Sequence, residues 1–361
     1  GQDDRASRGP TGPSGAGRLI GMASMRAWVV DGTGPPAEVL ELRDTEVPEP
    51  PPGFLRLRVA AAAAGLPDVL MCRGSYPLTP DGPFTPGQEV VGTVTAVGDG
   101  VDAALVGTRR MGVTAFYLGS GGFADEALAA DATMFPAPDW LADADAASFP
   151  IPFVTAWIAL RHRAALAPGE HLVVLGAAGG TGSAAVQLGR AMGAHVIAVA
   201  GGPVKAAHCR SLGAEVVIDH GAHDVAGVVR EVTKGRGADV VFDPVGGPSG
   251  ESVARSVADE GRFLLVGFAS GRWPALDPEL LVNGNFSALG VYVGAYDRAR
   301  IQAVHEKVLP LLLDGTLTSV AAEHVDFEGL PAALSALADR SAVGRYVLTP
   351  RAVESPEHLG R

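Results

Sequence analysis

The chain has 361 residues, of which 47% are hydrophobic and 19% charged, and 28 Lys and Arg face 40 Asp and Glu for a net charge of −12. That apolar content supports a sizeable core in one large or two ordinary domains and excludes disorder of the whole chain, while the acidity makes nucleic acid a poor partner. No apolar run reaches the roughly 18 residues that span a bilayer, and the two cysteines, Cys72 and Cys209, exclude a disulfide framework and a four-cysteine zinc site and fit a reducing, cytosolic setting.

Residues 1–24 are rich in Gly, Ser, Arg and Asp, with no apolar stretch of the kind a secretory signal needs. They read as a cloning remnant or a disordered extension. From Met25 the pattern becomes strand-like. Met25–Val30, Leu40–Val47, Phe54–Ala62, Val90–Val97 and Arg109–Val113 are expected strands, several of them alternating apolar and charged residues. Turn residues such as Asp31-Gly32-Thr33-Gly34-Pro35-Pro36 and Pro50-Pro51-Pro52-Gly53 punctuate them. The first 125 or so residues are therefore expected to be mainly β.

After Pro150 the period changes. Phe153–Leu166 reads as helix, Leu172–Gly176 as strand, Thr181–Met192 as helix and His195–Ala200 as strand. The alternation continues with Val204–Leu212 helical, Glu215–Ile218 extended, Val225–Thr233 helical and Val240–Phe242 extended. Gly250–Ala258 is an expected helix, and Arg262–Val266 and Ala288–Val293 are expected strands. Apolar strands alternating with helices imply a parallel sheet covered on both faces, a doubly wound α/β fold over 151–293. Arg298–Leu313 reads as a long helix and Arg345–Thr349 as a closing strand within 294–350, with a tail at 351–361.

One turn carries chemistry. Leu172-Val173-Val174-Leu175-Gly176 runs into Ala177-Ala178-Gly179-Gly180-Thr181-Gly182 and then a helix. Strand, Gly-rich turn and helix is the context of a dinucleotide site, because a pyrophosphate must touch backbone N–H groups that a Cβ would shield. The first glycine of the usual G-x-G-x-x-G is Ala177 here, while Gly179 and Gly182 are in place. An NAD site usually carries an acid at the end of the second strand. That strand runs instead into Gly201-Gly202-Pro203-Val204-Lys205, which leaves room for a 2′-phosphate and offers Lys205 to it. Lys205 as a solvent-facing lysine is the alternative.

The chain from Met25 to Pro350 resembles the medium-chain dehydrogenase/reductase superfamily, and within it the zinc-independent quinone oxidoreductase, or zeta-crystallin-like, group. The residues that carry the resemblance are Ala177–Gly182, Pro86-Gly87-Gln88-Glu89-Val90-Val91-Gly92, Gly65-Leu66-Pro67-Asp68 with Arg73-Gly74-Ser75-Tyr76-Pro77, and Asp243-Pro244-Val245-Gly246-Gly247. The resemblance implies a GroES-like β domain, residues 25–150 and 294–350, split around a Rossmann domain at 151–293, with the active cleft between them. It implies NADPH as cofactor, a quinone or an α,β-unsaturated carbonyl as acceptor, a homodimer paired through the edge strand 285–293, and a cytoplasmic setting. An enoyl-thioester or polyketide-type enone reductase, or a non-catalytic NADPH-binding protein, are the alternatives.

Zinc-dependent relatives carry a Cys and a His where this chain has Gly65 and Gln88, so no metal ligand is expected. The implied catalytic-cleft residues are Tyr76, donating either to the carbonyl oxygen or to the cofactor, Asp68, and Thr155 at the nicotinamide amide. The implied cofactor-binding residues are Ala178, Gly179, Gly180, Thr181, Gly182, Gly201, Lys205, His220, Val245, Gly267, Phe268, Ala269 and Arg345. Relatives often have an Asn at the position of Gly65, so a usual substrate clamp is absent here.

Overall fold

A computed structural model describes residues 23–350. The expectations for the extension before residue 23 and for the tail at 351–361 lie outside the described residues.

The N-terminal part begins with a hairpin of β1 (Ser24–Val30) and β2 (Leu40–Glu46) around the single turn α1 (Pro36–Val39). Then come β3 (Phe54–Ala64), α2 (Leu66–Cys72), β4 (Glu89–Val97), β5 (Arg109–Val113), β6 (Glu126–Ala130), β7 (Met134–Pro136) and α3 (Asp143–Ser148). The doubly wound part runs α4 (Pro152–Trp157), β8 (His171–Val174), α5 (Gly180–Ala191), β9 (His195–Ala200), α6 (Pro203–Ser211), β10 (Val216–Asp219), α7 (Val225–Val232), β11 (Ala238–Asp243), α8 (Gly247–Ala254), β12 (Val257–Leu265), α9 (Pro278–Asn283) and β13 (Ser287–Gly290). The chain closes with α10 (Arg298–Leu313), β14 (Ala321–Asp326), α11 (Leu330–Ala338) and β15 (Arg345–Thr349).

Two sheets result. One has six strands in the order β10-β9-β8-β11-β12-β13, all parallel, the order of a dinucleotide-binding Rossmann unit. The other, of GroES-like type, runs β14-β15-β3-β4-β5-β7 with β6 on β3. It closes only when β15, returning from the far end of the chain, pairs antiparallel with β3. One apolar core joins them: Ala61, Val91 and Met111 of the second sheet pack with Val174, Val186, Val304 and Val308.

Three expected elements end at least three residues early. The helix expected at Phe153–Leu166 winds normally only to Trp157 and then widens over Ile158–Arg163, where the Ala164 N–H reaches back to Ala159. The helix expected at Gly250–Ala258 spans Gly247–Ala254. The Ser256 N–H and hydroxyl both turn onto the Val253 carbonyl, which stops the helix and lets β12 begin at Val257. The last parallel strand stops at Gly290, because Val293–Ala295 forms a 3₁₀ turn.

Candidate active site

The Gly-rich turn sits at the C-terminal end of β8. The first helical bond of α5 runs from the Ser183 N–H to the Gly179 carbonyl, 2.8 Å, so the N–H groups of Gly180, Thr181 and Gly182 have no acceptor within the helix. They form an anion cradle with the helix dipole behind it. The glycines are sterically required: a Cβ on Gly182 would lie 2.2 Å from the Gly176 carbonyl oxygen, and one on Gly180 would lie 2.6 Å from the Arg345 side chain. A Cβ on Gly179 would meet nothing nearer than 3.4 Å, so that face is open to a ligand. From across the cleft, the Gly344 N–H donates to the Ala178 carbonyl at 2.7 Å.

Two neighbouring turns close the wall. Asp243, fully buried at the end of β11, accepts the Val245 and Gly246 N–H groups on Oδ1 at 2.8 Å each. The segment 267–270 is laced onto it, with the Gly267 N–H on the Asp243 carbonyl, Ala269 on Pro244 and Ser270 on Val245. Ala178–Gly182, Val245, Gly267, Phe268 and Ala269 thus converge at the carboxyl ends of β8, β11 and β12, where open α/β sheets bind ligands. The cradle and this wall fit the pyrophosphate and ribose of a nicotinamide dinucleotide.

At the end of β9, Gly201 leaves space for His220: a Cβ there would be 3.0 Å from His220 Nε2. Lys205 does not stand free in solvent. Its Nζ donates to the Arg340 carbonyl, and burial together with the Arg340 charge lowers its pKa. Arg340, in the left-handed region with φ of +58°, thereby brings a second cation to this turn. The Ser183 hydroxyl meets His208 Nε2 at 3.0 Å, fastening α5 to α6. Sequence reasoning singles out neither Arg340 nor Asp219, whose carboxylate caps the Gly202 N–H at 3.2 Å and the Gly221 N–H at 2.9 Å. The one available signal is an acid at the end of the third strand rather than the second.

The opposite wall is built on α2. Asp68, at the third position of that helix, reaches back to accept the Gly65 N–H on Oδ2 at 2.9 Å, which closes the first turn from one side. Its Oδ1 accepts the Gly87 N–H at 2.9 Å. Burial pushes its pKa up to about 6, against the pull of these bonds and of Arg345. With both oxygens on backbone, Asp68 positions the segments that carry Gly65 and Gln88. Beside them lies Tyr76, packed on Phe116 with ring centroids 6.2 Å apart. Burial raises its hydroxyl pKa, opposed by a hydrogen bond with Gln88. Thr155 lies buried in α4.

Arg345, expected at the cofactor phosphates, has its guanidinium paired with buried Glu89 and donating to the Ala64 carbonyl at 3.3 Å. Glu89 also accepts the Ile151 N–H at 2.7 Å, so the pair ties β4, α4 and β15 together. What Arg345 offers the cradle is its stem, laid over Gly180. A Cβ on Gly65 would be 2.9 Å from Arg345 Nη2. The guanidinium therefore stands where a side chain at position 65 would begin, which is the physical counterpart of the missing clamp.

Neither Gly65 nor the Gln88 amide is an anionic or imidazole donor, and among the described residues no three of His, Cys, Asp and Glu are grouped to hold a metal ion. A catalytic zinc with its three protein ligands does not fit this cleft. Cys72 and Cys209 are both buried and unpaired, and burial raises their thiols to about 12 and about 11.

Comparison with known proteins supports the fold. The family model for zinc-binding dehydrogenases matches residues 180–312, and that for the alcohol dehydrogenase GroES-like domain matches residues 51–139. The chain is 34% identical over 291 residues to quinone oxidoreductase-like protein 2 homolog of Nematostella vectensis, covering 80% of this chain and 78% of that one. It is also 34% identical over 302 residues to polyketide synthase GfsB of Streptomyces halstedii, which is 82% of this chain and 5% of that protein. Among solved structures, a quinone oxidoreductase from Pseudomonas syringae pv. tomato has a TM-score of 0.82 at 29% identity, over 90% of this chain and 100% of that one. A mycobacterial protein complexed with NADPH has a TM-score of 0.83 at 29% identity, over 91% and 100%.

Proposed function

The chain belongs to the quinone oxidoreductase-type proteins of the medium-chain dehydrogenase/reductase superfamily, and from that premise we propose that it is a zinc-independent, NADPH-dependent reductase of quinones or α,β-unsaturated carbonyls. The observation that carries the reading is the pairing of an open anion cradle at Gly180–Gly182 with an acceptor wall whose polar groups are Tyr76 and Gln88 and which lacks a zinc ligand set. The bound nicotinamide supplies hydride. The chain's own residues do the rest. Gly180, Thr181 and Gly182 hold the pyrophosphate by backbone N–H groups. Lys205 and Arg340 favour a ribose 2′-phosphate, and Val245 with 267–269 walls in the nicotinamide ribose. Tyr76, with its proton held by burial, donates a hydrogen bond to the acceptor oxygen, and oriented donors of this kind stabilise developing negative charge.

The exposed outer edge of β13 supports a homodimer in which two such strands pair. Among the described residues no helix is long and apolar enough to cross a membrane, and the two unpaired thiols suit a reducing cytoplasm. The likeness to polyketide synthases favours a second reading, reduction of an enoyl thioester.

The test follows NADPH absorbance with a panel of quinones, simple enones and enoyl thioesters. Turnover of quinones or enones upholds the reading, turnover of thioesters alone moves it to the second, and binding of NADPH without turnover of any acceptor leaves a cofactor-binding protein.

A further inference from the structure

We propose that Asp219, at the end of the third Rossmann strand, is a specificity-determining residue that weakens the cofactor's 2′-phosphate, so that the choice between NADPH and NADH is a contest between Asp219 and the pair Lys205 and Arg340. The inference rests on the reading of 201–205 as the ribose turn. Its basis is register. β9 ends Ala200-Gly201-Gly202 with no acid of its own, but β10 runs parallel beside it and pairs Asp219 with Ala200. An acid in that place faces the same turn as one at the end of β9 would, arriving sideways from the neighbouring strand.

The hydrogen bonds fix where the charge lies. Asp219 Oδ2 takes the Gly202 N–H at 3.2 Å and Oδ1 takes the Gly221 N–H at 2.9 Å. Those two bonds, with His220 and His223 alongside, hold the carboxyl below the usual aspartate range, so it is an anion at neutral pH. Gly202 opens α6 with φ of +79°, and its N–H is a donor that a phosphate at this turn would use. Asp219 already occupies it, and with a charge of the same sign as the phosphate. The opposing cations come from two different segments. Lys205 stands on α6, and Arg340 is drawn to it by the bond from Lys205 Nζ to the Arg340 carbonyl. Asp219→Asn removes the charge and retains an oxygen acceptor for one of the two N–H groups.

Two unit charges a few ångströms apart in water-like surroundings interact by an amount that changes affinity about fivefold, less as salt screens them. Removal of the Asp219 charge should therefore tighten binding of a 2′-phosphate about three- to tenfold. The full chain and its Asp219→Asn variant are titrated with adenosine 2′,5′-bisphosphate and AMP, and with NADPH and NADH. A gain confined to the bisphosphate and NADPH, with AMP and NADH within about twofold of wild type, upholds the proposal. No gain, a loss, or an equal change for all four ligands overturns it, because a support of the loop alone would not sort ligands by their 2′ group. The NADPH reading is judged separately, on the wild-type chain. A wild type that binds the bisphosphate no more tightly than AMP removes that reading, whatever the variant does.

Discussion

Asp68 on the GroES-like wall and Asp243 on the Rossmann wall are both buried, both raised to about 6 by burial, and both hold two backbone N–H groups. They are wired differently. Asp68 gives one oxygen to each of two segments, Gly65 and Gly87, nineteen residues from Asp68 to the second of them. Asp243 gives a single oxygen to one turn, and its Oδ2 has no hydrogen-bond partner, facing Gly250, where a Cβ would lie 2.3 Å away. One carboxylate clamps two strands of chain together, and the other staples one turn while carrying an uncompensated desolvated oxygen. The GroES-like wall is thus the one with the fuller polar network.

Removal of the carboxylates separates the two designs most strongly. Asp68→Ala strands two buried N–H groups in different segments and is expected to cost about 3–4 kcal/mol of stability, with Asp243→Ala nearer about 2 kcal/mol because the orphan oxygen leaves with it. Denaturant unfolding at pH 7 measures both, and the reverse order would break the comparison.

Titration is the next largest effect. The folded pKa of each aspartate, about 6, lies above the roughly 3.9 of an unfolded chain. Between these values the folded state binds the extra protons, so stability is highest at the acid end and falls as pH climbs towards 6, by roughly 2–3 kcal/mol per group. His305 has the opposite sign. It is wedged between Phe135 and Phe149, with ring centroids at 4.5 and 4.9 Å and no hydrogen-bond partner on either nitrogen. Burial and the Arg298 charge lower it to about 4. Its contribution is full above the unfolded value near 6.5 and lost as pH falls towards 4. Unfolding curves at pH 4.5 and 6.5 should therefore show Asp68→Asn and Asp243→Asn shifting stability towards the upper pH and His305→Leu shifting it towards the lower.

Lys205→Glu sharpens the contrast on the cofactor side. A lost hydrogen bond to a charged group amounts to roughly 1.5–3 kcal/mol, so NADPH is expected to weaken on the order of 10–100-fold while NADH changes little. Equal losses in paired titrations would take Lys205 out of the site. The smallest expected effect is none: a chelator should leave turnover unchanged, and elemental analysis should find no stoichiometric zinc. One tight zinc per chain with chelator-sensitive turnover would contradict the donor set at Gly65 and Gln88.

The Rossmann half is the more legible in sequence, since its signals are local. β9 falls at its expected bounds, and the turn at Gly179–Gly182 lies where its glycines put it. The other half is harder to read. Helix α2 is seven residues long with a proline in its first turn, too short to show a period. β14 is largely exposed and reads as polar, and α11 is nearly all Leu and Ala, so no polar face marks its period. The central ion pair, Glu89 with Arg345, joins residues 256 apart in sequence, and nothing local announces it. Asp219 carries only the signal of an acid at the end of the third strand, because its meaning comes from its neighbour strand rather than from a place in a motif.

The bond from the Gly344 N–H to the Ala178 carbonyl has a bearing on chimeric proteins. A dinucleotide unit cut out at 151–293 and grafted onto a foreign catalytic lobe would leave behind the two residues that rest against its phosphate cradle, Gly344 and the Arg345 stem over Gly180. The graft would carry the complete sheet and an incompletely supported loop. Transplants that include the segment 340–349, or that keep the recipient's own equivalent of Gly344 opposite the loop, are expected to retain cofactor affinity, so the unit of exchange is set by the site and not by the fold boundary.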